Sequence, residues 1–151
     1  MHCTGSPQRP TATKRREAGI TILVVEDEQF VREVTCEILR HAGYRVVQAE
    51  CAATATKMFL RQRKRIRLLL CDAVLPDSSG ALLSQTLRRL SPELNVIVVS
   101  GYPSGGRPEA GDTESANDFL AKPYGAASLV SRVQAGVRKE SVREPVQIQA
   151  R

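Results

Sequence analysis

Short apolar runs bounded by polar residues recur along the chain at near-regular intervals: Thr21–Val25, Arg45–Ala49, 68–71, 96–99 and Asp118–Ala121. Each is long enough for a strand and too short for a helix. The runs at 22–25, 68–71 and 96–99 are continuously apolar, as in strands covered on both faces. Between them, apolar positions repeat at spacings of three and four. In 28–41 the residues Val31, Val34, Thr35, Ile38 and Leu39 line one helical face, and Gly43 follows as the cap. A second helix is predicted over Ala52–Gln62. A third, Gly80–Leu90, carries Leu82, Leu83, Leu87 and Leu90 and stops before Pro92. The last, 126–139, uses Leu129, Val130, Val133 and Val137.

Strand and helix alternation of this kind predicts an α/β fold with a five-stranded parallel sheet, doubly wound, in a single domain. Only 103–115 breaks the pattern: it holds three glycines and two prolines and has almost no apolar face, so the fourth helix should be short or irregular. The expected organisation is a flexible basic tail over 1–18, the domain over 19–139 and a flexible tail over 140–151.

Composition narrows the function classes. The 151 residues carry 22 Lys plus Arg against 16 Asp plus Glu, a formal charge of +6. Four of those cations lie in the N-terminal tail, and five more, Arg61, Arg63, Lys64, Arg65 and Arg67, form one run. The run follows a helix, where cations suit the negative dipole end, and no aromatic interleaves it, so a nucleic-acid partner is not expected. No apolar stretch approaches the roughly 20 residues of a membrane span, and the N-terminus lacks a signal-peptide core. A cytoplasmic protein is expected. Cys3, Cys36, Cys51 and Cys71 have no metal-ligand spacing and read as thiols.

In open parallel sheets the functional crevice lies at the carboxyl ends of the strands. Here those ends carry Glu26, Asp27 and Glu28, then Asp72, then Ser100 and Gly101, then Lys122 and Pro123. Crowded carboxylates raise each other's pKa unless a cation compensates them. Magnesium does so with few protein ligands and several waters, leaving a position for a phosphoryl oxygen. A carboxylate nucleophile with an ammonium beside it suits in-line phosphoryl transfer.

The segments TILVVEDE (21–28), LLLCDAVLPDSSG (68–80), VIVVSG (96–101) and DFLAKPY (118–124) together resemble the response regulator receiver domain of two-component signalling. The resemblance covers about 20–139. It implies a flavodoxin-like sheet of strand order 2-1-3-4-5. It implies Asp72 as phosphoacceptor, and Glu26, Asp27, Asp72 and the Val74 backbone carbonyl as ligands of Mg2+. Ser100 and Lys122 would bond the phosphoryl oxygens, and Ser100 with Phe119 would form the switch. It further implies a cis Lys122–Pro123 bond. The donor would be a sensor histidine kinase or a histidine phosphotransfer protein. The output partner would bind the face of the fourth helix, fifth strand and fifth helix. Such a protein is a phospho-accepting module that catalyses only its own phosphorylation and dephosphorylation, rather than an enzyme with a separate substrate.

Departures from the family pattern matter little at the site. Glu26 stands where Asp is also frequent, and Ser100 where Thr is the alternative. Val74 and Tyr102 are poor at orienting an attacking water, so slow hydrolysis of the phosphoaspartate is expected. The Gly- and Pro-rich stretch at 103–111 leaves dimerisation unsupported. Gly101 gives a phosphodonor access, or is merely a loop glycine. Phe119 could instead be an ordinary core aromatic and Pro123 a simple separator. His41 reads as a helix-end cation and Cys71 as a small buried residue.

Three other readings compete. A receiver excised from a hybrid histidine kinase or larger regulator fits the same motifs, and a phosphorylation-independent docking module would use the same sheet edge. The full set of Asp27, Asp72, Ser100 and Lys122 argues against the second. A phosphatase with an aspartate nucleophile would place a second carboxylate where Val74 stands.

Overall fold

The computed structural model describes residues 19–101 and 118–138. The expected fourth helix at 103–115, Tyr102 and both tails lie outside the described residues. Five strands form one sheet: β1 (Thr21–Val25), β2 (Arg45–Ala49), β3 (Ile66–Asp72), β4 (Asn95–Ser100) and β5 (Asp118–Ala121). All neighbours pair in parallel, in the order β2-β1-β3-β4-β5. The described helices are α1 (Gln29–His41), α2 (Ala52–Gln62), α3 (Gly80–Leu90) and α4 (Ala126–Arg138), the last being the fifth helix of the sequence pattern.

Strand alternation divides the core in two. Leu23, Val25, Leu69, Cys71 and Val96 face α2 and α3 with Phe59, while Ile22, Val24, Leu68, Leu70 and Ile97 face α1 and α4 with Leu129. Each fully buried Leu, Ile or Val contributes about 1.5–3 kcal/mol, so the central strands anchor the domain. Close packing depends on Gly136 in α4, where a Cβ would stand 2.9 Å from the Leu68 side chain.

Helix ends follow local chemistry. The α1 terminus closes with Gly43 at φ 100°, its N–H donating to the Arg40 carbonyl at 2.9 Å and that of Tyr44 to the Leu39 carbonyl at 3.1 Å. Gly43 is therefore the left-handed residue of a Schellman cap. Ser79 caps α3 by accepting from the Leu82 N–H at 3.2 Å. Cys51 gives α2 no side-chain cap; instead Asp77, from the loop after β3, accepts from the Ala52 and Ala53 N–H groups at 2.9 Å each.

Boundaries moved slightly from expectation. Glu28 is the extended residue before α1 rather than its first turn. The third strand runs from Ile66 to Asp72, two residues earlier and one later than the apolar run, because Ile66 pairs with Thr21 ahead of a register shift that passes over Arg67, and Asp72 still pairs with Val99.

Candidate functional site

The register sets the site. Val25 of β1 pairs with Cys71 of β3, Asp72 with Val99 of β4, and Ser100 with Ala121 of β5. The next residues, Glu26, Asp72, Ser100 and Lys122, therefore come out along one edge. The Lys122 ammonium donates to Asp72 Oδ2 at 2.7 Å and to Glu26 Oε2 at 2.9 Å. The Val74 N–H donates to Asp72 Oδ1 at 3.1 Å, and the Glu28 N–H to Glu26 Oε1 at 3.2 Å.

Glu26, Asp27 and Asp72 each bring one carboxylate oxygen to within 4.8 Å of the others. Glu26 is buried, Asp72 half-buried and Asp27 exposed. Burial pushes the Glu26 carboxyl up against the opposing pull of Lys122. Burial alone would weaken the Lys122 ammonium, but its bonds to Asp72 and Glu26 dominate and raise its pKa well above the ordinary lysine range. Three carboxylates thus face one ammonium. A compact divalent cation with oxygen ligands suits that residual negative charge and donor set, so the residues present fit magnesium.

Loop geometry around Asp72 depends on Gly80. A Cβ there would lie 2.5 Å from the Asp72 carbonyl oxygen and 3.2 Å from the Ala73 Cα. Only a residue without a side chain lets the start of α3 pass so close. Gly80 N–H also donates to the Ala73 carbonyl at 3.0 Å, and an isolated antiparallel bridge joins Val74 to Ser79. The Lys122 N–H donates to the Ser100 carbonyl at 2.8 Å, and the Lys122–Pro123 peptide is cis.

Of the residues expected at the site, Glu26, Asp27, Asp72 and Lys122 come together. Ser100 ends β4 on the same edge, half-buried. Phe119 pairs with Val98 and keeps 39% of its surface exposed, which does not fit an ordinary core aromatic. Cys71 points away into the core, where burial pushes its thiol up to about 12. The sequence reading missed Arg32, Thr35 and Tyr124, which touch the loops of the site. Tyr124 follows the Lys-Pro pair and could have drawn notice; Arg32 and Thr35 carry no local signal. It also missed a groove of about 710 Å³ between α1 and α4, lined by exposed Phe30 and Val34 together with Glu33 and Glu37.

The profile of the response regulator receiver domain matches residues 22–134. The chain belongs to the response regulator receiver family. This receiver is 31% identical over 123 residues to the phosphate regulon transcriptional regulatory protein PhoB of Pseudomonas aeruginosa, covering 80% of this chain and 53% of that one. The chain spans about half the length of the full-length regulators it matches, such as this one, at 53%. Among solved structures, the receiver domain from hybrid histidine kinase CckA is 31% identical with a TM-score of 0.66, covering 78% of this chain and 98% of that one. A receiver domain protein from Clostridium thermocellum superposes with a TM-score of 0.74 at 21% identity, covering 81% and 97% of the two chains, a likeness of fold alone. Among the described residues of the receiver, no helix is long and apolar enough to cross a membrane.

Proposed function

We propose that this receiver is a phosphorylation-dependent signalling module that accepts a phosphoryl group on Asp72. The observation that carries the reading is the Lys122 ammonium, held at 2.7 Å from Asp72 Oδ2 and 2.9 Å from Glu26 Oε2 beside three converging carboxylates. A carboxylate oxygen of Asp72 attacks phosphorus in line, forming the acyl phosphate O–P bond. The P–N bond of a donor phosphohistidine breaks, and its electron pair stays on the imidazole nitrogen. Lys122 is placed to follow the negative charge from Asp72 onto a phosphoryl oxygen, and Ser100 offers a hydroxyl to another. Glu26, Asp27, Asp72 and the Val74 carbonyl would hold Mg2+, which when bound neutralises charge on the equatorial phosphoryl oxygens.

In this reading the new charge at the sheet edge acts through Ser100 and the partly exposed ring of Phe119. The output surface in this reading is the face of β5 and α4 together with the segment 103–115. The donor is a sensor histidine kinase or a histidine phosphotransfer protein, acting in the cytoplasm. The groove between α1 and α4 is lined by Phe30 and Ala126, close in sequence to Glu28 and Lys122, and in this reading a protein donor that reaches Asp72 covers part of it.

A variant reading, a receiver that is part of a hybrid kinase or larger regulator, draws on the likeness to the CckA receiver and on the half-length match to PhoB. The deciding experiment is intact-protein mass after incubation with magnesium and a small acyl phosphate, for wild type and Asp72→Ala. One magnesium-dependent phosphoryl adduct, absent in the variant, is expected. A folded wild type with no adduct would leave a phosphorylation-independent docking module.

A further inference from the structure

Both loops that frame the acidic pocket are tied to one face of α1. The Arg32 guanidinium donates from Nη1 to the Glu26 carbonyl oxygen at 2.8 Å and reaches that of Asp27 at 3.5 Å. Its Nε donates to Gln48 Oε1 of β2 at 3.2 Å, so the fork is held from both sides. One turn further, the Thr35 hydroxyl shares a hydrogen bond of 2.8 Å with the Tyr124 hydroxyl, across 89 positions of sequence. Tyr124 stands two residues beyond Lys122. Positions 32 and 35, three apart, lie on the same side of the helix.

The two ties reach different chemistry. Arg32 grips the backbone from which the Glu26 and Asp27 carboxylates project. The Thr35–Tyr124 bond grips the loop that carries the Lys122 ammonium. Thr35 is only 3% exposed, so its hydroxyl depends on a protein partner. Displacements of about 1 Å in reacting groups cost large factors in rate, so loops bearing the acidic pair and the ammonium need such restraint.

We propose that α1 braces the phosphorylation site: Arg32 is a positioning residue for the acidic pair, and the Thr35–Tyr124 bond is the positioning contact for Lys122. The inference rests on the proposed function, because it assigns the braced groups to phosphoryl transfer. It separates two effects that a merely structural role would blend.

Magnesium affinity is read by calorimetry with the metal alone, and phosphorylation rate by intact mass at saturating magnesium. Arg32→Gln is expected to weaken magnesium binding about tenfold, the effect of losing an outer support of a metal site. Tyr124→Phe and Thr35→Val should each slow phosphorylation roughly three- to tenfold while leaving magnesium affinity within about twofold. The double variant should be no slower than either single one, since both remove one bond. Thr35→Ser, which keeps the hydroxyl, should restore the rate. If Thr35→Val does not fold, Tyr124→Phe against wild type carries the same test.

Folded variants with wild-type affinity and rate would overturn the brace, and so would additive slowing in the double variant. A wild type that binds magnesium but accepts no phosphoryl group defeats the proposed function instead. In that case the Arg32→Gln calorimetry and the Lys122 amide shift in Tyr124→Phe still decide the brace: unchanged values overturn it, and changed values uphold the positioning.

Discussion

At the scale of single residues, the site is built on close approaches that tolerate no added atoms. Gly80→Ala would drive a methyl to 2.5 Å from the Asp72 carbonyl oxygen, which is backbone and cannot swing aside. The variant should lose about 1–3 kcal/mol of stability, the ordinary range for overpacking, and phosphorylate more slowly as the Asp72 backbone shifts. Denaturant unfolding with the mass assay checks both, and an unchanged midpoint would remove Gly80 from the argument. Val74, 64% exposed two positions past Asp72, offers an apolar side chain where a polar one could hold an attacking water. The phosphoaspartate should therefore last minutes or longer, and Val74→Asn should shorten its life. A lifetime of seconds that ignores this substitution would refute the reading. The residues of the pocket were legible because each follows an apolar run, directly or, for Asp27, one residue later. The roles of Arg32 and Thr35 were not, since a hydrogen bond across 16 or 89 positions leaves no mark in local spacing, and only the place of Tyr124 after the Lys-Pro pair offered a hint.

At the scale of elements, the sequence specified helix faces and strand cores well and helix ends unevenly. Gly43 announced the end of α1, but nothing around Cys51 announced that α2 borrows its cap from Asp77. Two backbone hydrogen bonds, to Ala52 and then Ala53, hold the Asp77 carboxyl below the usual aspartate range. A depressed folded-state pKa contributes stability that is fully present above the unfolded value of 3.8 and is lost as pH falls through the folded value. Asp77→Ala should therefore melt lower than wild type at neutral pH, with the gap closing as the solution is acidified below about 4. A gap that stays constant across that window would mean that the cap is not the source. The α1–α4 groove yields a second test at this scale. Val34→Asp should slow transfer from a protein phosphodonor about tenfold while leaving a small acyl phosphate nearly unaffected. Equal slowing with both donors would place the damage inside the pocket and not on the groove.

At the scale of the whole molecule, parallel strands force every helix to point its N-terminus toward the acidic edge and its C-terminus toward the other. Last-turn cations accordingly collect at the far edge: Arg40 on α1, Arg61 on α2, Arg88 and Arg89 on α3, and Arg138 on α4. Arg63 donates to the Leu90 carbonyl at the end of α3, and Arg88 donates to that of Leu94 in the turn that follows at 3.2 Å, so part of this positive edge serves backbone carbonyls directly. At the acidic edge, among the described residues, Glu26, Asp27 and Asp72 converge with Lys122 as the cation bonded to two of them. Repulsion there would work against folding, and a divalent ion that bound the folded chain alone would add RT ln(1 + [L]/Kd) of stability. At magnesium ten times its Kd this amounts to about 1.4 kcal/mol, or roughly a 5 °C rise in Tm for a domain of this size. Asp27→Asn should show the opposite pair of effects: a higher Tm than wild type in chelator, because one repelling charge is gone, and little further rise with magnesium. Melting both proteins with and without the metal decides the point. Identical wild-type curves in magnesium and chelator would mean that the three carboxylates do not act together as a metal site.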